Sequence, residues 1–170
     1  MFNARENEIR ETHTTSAPTQ IRVLIVDDHA ILRAGVREML ADEDDLQVVG
    51  EAGSAEEALQ LLRNGTQVDV VVLDITLPGQ SGIELLKQLR RDRPELAILV
   101  LSMHPERSFA VRLMRAGANG YVPKMIVPEE LVKAVRAVGT GRRYITPIVA
   151  ELLASDCRSE EHTSELQSPI

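Results

Sequence analysis

Hydrophobic positions along this chain change rhythm at regular intervals. Residues 1–20 show no apolar period at all, being charged and Thr-rich, which predicts a disordered leader. Ile21 to Val26 is then an almost unbroken β-branched and aliphatic run that stops at Asp27 and Asp28. Such a run predicts a strand buried on both faces of a sheet. Ile31, Leu32, Val36, Met39 and Leu40 follow at helical spacing. The same alternation recurs down the chain. Strands are predicted over 46–51, 68–73, 96–101 and 120–122. Helices are predicted between them, with apolar stripes at Ala58, Leu59 and Leu62, at Leu85, Leu86 and Leu89, at Ala110, Leu113 and Met114, and at Leu131, Val132, Val135 and Val138.

The helix boundaries carry their own signals. Ser54 with Glu57, and Ser81 with Glu84, are capping boxes. Asn64-Gly65 closes the second helix, Gly117 the fourth and Gly139 the fifth. Pro105 and Pro128 suit first turns, where a missing amide hydrogen costs nothing. Continuous apolar strands alternating with amphipathic helices predict an α/β fold: a doubly wound, parallel, five-stranded sheet covered on both faces.

Composition narrows the picture further. The chain has 170 residues with 44% hydrophobic content, enough for one core, and its scarcity of aromatic residues makes that core aliphatic. A formal charge of −7 opposes direct binding to DNA or an anionic membrane, and Arg142-Arg143 is too short a basic cluster to change that. A lone cysteine, Cys157, excludes an internal disulfide. No run approaches the ~18 apolar residues of a membrane span, and the polar start lacks a secretory core. The expected location is the cytoplasm.

Candidate chemistry gathers at the strand ends. In an open parallel sheet, ligands bind beyond the carboxyl ends of the strands. The first strand delivers Asp27 and Asp28 there, the third Asp74, the fourth Ser102, and the fifth Lys124 shortly after its end. Taken singly, each has a plain explanation: an Asp after a strand is ordinarily a turn or cap, a Ser a cap, and a Lys a solvated cation. Together, three carboxylates call for a hard divalent cation such as Mg²⁺. A Lys and a hydroxyl beside that cation suit a phosphoryl group, and a carboxylate can act as its nucleophile. His29 follows the acidic pair; preference of Mg²⁺ for oxygen makes it a first-turn residue at the rim rather than a ligand. His104 reads as a solvated loop residue.

Four blocks, Val23–His29 (VLIVDDH), Val72–Gly82 (VLDITLPGQSG), Leu99–Ser102 (LVLS) and Gly117–Lys124 (GANGYVPK), closely resemble response-regulator receiver domains, most of all those of NarL/FixJ-type transcriptional regulators. The resemblance covers residues 20–140 and implies a flavodoxin-like (βα)5, CheY-like architecture. It implies Asp74 as phospho-acceptor, with Asp28, Asp74 and the backbone carbonyl of Thr76 as Mg²⁺ ligands and Asp27 acting mostly through water. Lys124 would bind phosphoryl oxygens. Ser102 and Tyr121 would form the switch. Pro78 and Gly79 would shape the loop after the acceptor, and Gly82 would lie near the next helix start. Two positions depart from common receiver patterns: Leu77 stands where Met is frequent, and Met125 rather than Pro follows Lys124. A cis bond there would be costly, and its geometry is left open.

The resemblance implies a signalling protein rather than an enzyme, with a sensor histidine kinase as partner and a homodimer as one outcome of phosphorylation. DNA would be reached only through a helix-turn-helix domain not contained in this chain. Segment 141–157 reads as a linker with a short helix over 148–154. Residues 158–170 resemble a translated sequencing-library adapter and are expected to be non-native, the native chain continuing into the output domain. The alternative is a complete single-domain receiver that shuttles phosphate or docks on another protein. An enzyme on the same fold fits less well, because the first strand is followed neither by a glycine-rich phosphate loop nor by an Asp-x-Asp pair.

Overall fold

The structure is a computed structural model that describes residues 19–103, 107–147, 149–155 and 158. Ten elements alternate: β1 (Ile21–Val26), α1 (Ala30–Ala41), β2 (Leu46–Ala52), α2 (Ala55–Arg63), β3 (Val70–Asp74), α3 (Gly82–Asp92), β4 (Ala97–Ser102), α4 (Arg107–Arg115), β5 (Gly120–Pro123) and α5 (Pro128–Gly139). The strands form one parallel sheet in the order β2-β1-β3-β4-β5. This is the doubly wound arrangement expected, and its strand order reverses beside β1.

Strand periodicity divides the core into two layers. Leu24, Val26, Val71, Leu73, Ile98 and Val100 face α2, α3 and α4. Val23, Ile25, Val70, Val72, Leu99 and Leu101 face α1 and α5. Each fully buried Val or Leu contributes roughly 1.5–3 kcal/mol of transfer free energy, so a sheet sandwiched on both sides gains along its whole length. The serine of each predicted capping box caps its helix. The Ser54 hydroxyl accepts the Glu57 amide at 3.2 Å, and Ser81 accepts the Glu84 amide at 3.2 Å. Glu57 returns a bond to the Gly53 amide, one residue before the cap, at 2.7 Å.

Three details differ from the sequence expectation. β3 begins at Val70 rather than 68; just before it the Asp69 carboxylate accepts the Arg22 amide and guanidinium at 2.8–2.9 Å, while its amide donates to the Arg22 carbonyl at 2.8 Å and its carbonyl accepts the Ala97 amide at 3.1 Å. β2 runs one residue further, to Ala52, past a register shift opposite Val23 and Leu24; a Cβ on Gly50 would stand 3.2 Å from Leu24. Ile31 and Leu32 share the apolar pattern of α1 yet are exposed, because the first turn of α1 sits at the carboxyl edge of the sheet.

Residues beyond α5 pack on the outer edge of β5. The Tyr144 amide donates to the Asn119 carbonyl at 3.0 Å, and its carbonyl accepts the Tyr121 amide at 3.1 Å. The Tyr144 hydroxyl donates to Glu130 of α5 at 2.5 Å, a bond that pushes the phenol pKa up to about 12. Residues 149–155 are helical, with Val149 buried against the layer that carries α2, α3 and α4. Within the segment 141–157, read as a linker with a short helix, Tyr144 and Val149 thus pack onto the body of the fold. His13, Pro105, Cys157 and the segments 1–18 and 159–170 fall outside the described residues.

Candidate functional site

The reversal of strand order beside β1 opens a crevice at the carboxyl ends of β1 and β3. Asp27 and Asp28 follow β1 directly, and Asp74 is the last residue of β3. The sheet therefore brings together acids separated by 46 to 47 positions, as their numbers 27, 28 and 74 show. Ser102 ends β4, whose Leu101 pairs with Asp74. Lys124 follows β5, and its amide donates to the Ser102 carbonyl at 2.9 Å. Asp27, Asp28, Asp74 and Lys124 thus lie together, with Ser102 beside them at the end of β4.

Asp74 is fully buried. One carboxylate oxygen accepts the Thr76 amide at 2.9 Å, and the other accepts the Lys124 ammonium at 2.7 Å. The same ammonium lies 3.3 Å from Asp27, which is also buried. The loop after Asp74 is drawn back onto α3 by the Gly82 amide, which donates to the Ile75 carbonyl at 3.2 Å. A Cβ on residue 82 would stand 2.5 Å from that carbonyl, so the close approach requires glycine. Gly79 takes the left-handed conformation within the same loop, with φ of 77°. Every peptide bond among the described residues is trans, Lys124–Met125 included.

Burial pushes the Asp74 carboxyl above the usual carboxylate range, and the neighbouring Asp27 charge adds to this; the bonds from Lys124 and the Thr76 amide oppose it without prevailing. Lys124 is pulled the other way by burial, but its bond to Asp74 and the charges of both acids keep its pKa above the ordinary value. Lys124 therefore stays cationic, beside an Asp74 carboxylate whose charged form burial disfavours.

Asp28 and Thr76 lie at the mouth, both more exposed than Asp74. Tyr121 is half-buried against the layer of α2, α3 and α4, across from Val100 of β4. His29 differs from its expected position. It is the N-cap of α1 rather than a first-turn residue, and its ring makes no capping bond. Instead Nδ1 turns toward the acids, 3.1 Å from Asp27, 3.1 Å from Asp28 and 4.0 Å from Asp74. Ligand atoms of Asp27, Asp28, His29 and Asp74 all lie within 4.8 Å of one another. The signal for this was its place directly after the acidic pair, where a cap's extended backbone aims a side chain back at the preceding turn. His104 lies outside the described residues.

Buried acids, one cation and a strand-end crevice on a 2-1-3-4-5 sheet define the receiver class of signalling domains. Residues 23–136 match the family described as the response regulator receiver domain, and the chain belongs to that family. It is similar to the response regulator GacA of Pseudomonas aeruginosa, 42% identical over 149 residues, which is 87% of this chain and 69% of that protein. Among solved structures it resembles a LuxR-family two-component response regulator from Aurantimonas sp. SI85-9A1, with 40% identity and a TM-score of 0.72 over 81% of this chain and 98% of that one. It also resembles the isolated receiver domain of RcsB from Salmonella enterica serovar Typhimurium, solved with the phosphomimetic BeF₃⁻, at 30% identity and TM-score 0.71 over 79% and 99%. The chain spans about three-fifths to two-thirds of the length of the curated relatives it matches, from 61% to 69%. No helix among the described residues is long and apolar enough to cross a membrane.

Proposed function

We propose that this chain receives a phosphoryl group on Asp74 from a sensor histidine kinase in the cytoplasm and reports it by a change of shape. The observation that carries this reading is the buried Asp74 carboxylate, bonded to Lys124 at 2.7 Å and crowded by Asp27. A carboxylate oxygen of Asp74 attacks phosphorus. The bond from phosphorus to the donor's imidazole nitrogen breaks, and its electron pair stays on that nitrogen, which takes up a proton. The product is an acyl phosphate. Lys124 neutralises phosphoryl oxygens and holds them in line.

The donor set fits Mg²⁺: carboxylates of Asp28 and Asp74, the Thr76 carbonyl, and Asp27 acting mostly through water. When bound, the cation supplies positive charge to acids that outnumber Lys124. Exposed Ile31, Met125 and Val127 give the surrounding surface an apolar character suited to a protein donor. Ser102 and Tyr121 then serve as the switch, the hydroxyl moving toward the new phosphoryl group and the ring turning inward. Output passes to a helix-turn-helix DNA-binding domain of a longer protein, with dimerisation as one consequence, and regulates transcription.

Incubation with radiolabelled acetyl phosphate and Mg²⁺ tests the acceptor. Asp74→Asn is expected to lose acid-stable, base-labile label by at least about 100-fold, roughly what removal of a nucleophile costs. Uptake equal to the parent would refute Asp74 as acceptor.

A further inference from the structure

His29 stands at a helix N-cap without capping the helix. Its amide does the local work instead, donating to Asp27 at 2.8 Å and thereby fixing the ring over the acids. Nδ1 is then equidistant, at 3.1 Å, from an oxygen of Asp27 and an oxygen of Asp28. Nδ1 thus faces both acids, hydrogen-bonded to Asp27 here and aimed at a centre that the acids could share. The distances carry the point further. Ligands on an octahedral ion with bonds of about 2.1 Å are separated by about 3.0 Å when adjacent and about 4.2 Å when opposite. Nδ1 lies 3.1 Å from Asp27 and Asp28, and 4.0 Å from Asp74. The separation from Asp28 matches neighbouring positions and that from Asp74 an opposite one, with Asp27 beside them to act through water. With the proton on Nε2, Nδ1 offers a lone pair to that centre.

We propose that His29 is a nitrogen ligand of the cation site, so that the site binds imidazole-accepting divalent cations of the cobalt, nickel and zinc kind more tightly than its oxygen ligands alone would. This rests on the cation-site reading above. Mg²⁺ is a hard ion that gains little from an imidazole, whereas the later first-row ions gain much. His29 therefore sets which cation the site favours, while Asp28 sets whether it binds one at all. The ring is more than half exposed, so a ligand role needs no rearrangement of the core.

The test uses the full chain with Co²⁺ as a paramagnetic probe, in the parent and in His29→Ala, His29→Asn and Asp28→Asn. His29→Asn retains a good N-cap and separates ligand loss from helix loss. Proton NMR of the one-equivalent Co²⁺ form should show a hyperfine-shifted, solvent-exchangeable imidazole N–H that both His29 variants lose. Calorimetric titration should show Co²⁺ affinity falling about tenfold in those variants, while Mg²⁺ affinity stays within about twofold. If the resonance and the Co²⁺ to Mg²⁺ ratio persist in His29→Ala while Asp28→Asn loses both cations, the ligand assignment is overturned and the cation site stands. If Asp28→Asn binds both cations as the parent does, the cation-site reading itself fails.

Discussion

At the amino end of the sheet, Arg22 grips Asp69 through its amide and guanidinium at 2.8–2.9 Å, and Arg136 bridges Asp45 and Glu43 from α5. At the carboxyl end, Lys124 faces Asp27 and Asp74 with Asp28 and His29 beside them. Both ends use the same kinds of charge. They differ above all in water. The arginine pairs are half-open to solvent, so the bonds from Arg22 and Arg136 hold Asp69 and Asp45 below the usual carboxylate range. The Lys124 site is nearly dry and has an excess of acid, so Asp74 is pushed above that range. A satisfied pair fastens strands together. An unsatisfied one holds a strain that a bound cation would relieve, and on the proposed function this sets the site apart from the brace.

Removing the Lys124 cation should break this contrast most strongly. Lys124→Ala leaves Asp27 and Asp74 buried with the backbone amides of His29 and Thr76 but no ammonium against their charge, and breaking such a pair typically costs ~3–5 kcal/mol. Urea unfolding at pH 7 without divalent cations should show a loss of about 3 kcal/mol, near the low end of that range because Asp74 can take up a proton. A loss indistinguishable from zero would mean the acids are solvated after all. Next in size is the response to cation. At ten times its dissociation constant, Mg²⁺ should stabilise the parent by about 1.4 kcal/mol, and Asp28→Asn by far less. The arginine pairs should contribute nothing to that difference.

Asp74→Asn, without cation, should stabilise the fold by about 1 kcal/mol at pH 7, because it removes a buried charge in excess. The pH trend carries the sign. A carboxyl whose folded pKa is raised favours the folded state below its unfolded value, and that benefit is lost as pH rises through the folded value. The advantage of Asn should therefore be present at neutral pH and vanish in acid. Asp69→Asn should behave oppositely and more weakly. Its folded pKa is lowered, so the stability it contributes is present above the usual carboxylate value and lost as pH falls through the folded one. That loss should be the smallest of the series, screened by salt and unaffected by Mg²⁺. Equal pH trends for Asp69→Asn and Asp74→Asn would erase the distinction between brace and site.

Legibility followed the physics of each feature. Asp27, Asp28, Asp74, Ser102 and Lys124 could be read in advance because parallel strands deliver their last residues to one edge whatever the helices do. The starts of strands were less legible: Val68 looks like a strand residue by composition, but the regular strand begins at Val70, one residue past Asp69, whose carboxylate binds Arg22, a partner 47 positions away. Ile31 and Leu32 obey helical spacing and still face water, since periodicity describes a stripe and not what covers it. The orientation of His29 was illegible for a related reason: only the angle of the helix cap turns its nitrogen toward the acids.

The amino-acid order by itself determined the alternation of strands and helices, the two-sided burial of the sheet and the acids at its edge, because apolar period and strand polarity are local properties. Tertiary structure alone decided the strand order that opens the crevice beside β1, the pairing of Lys124 with both Asp27 and Asp74, the packing of Tyr144 on β5 and the inward turn of His29. Each of those depends on which distant groups meet, and on how much water is left between them when they do.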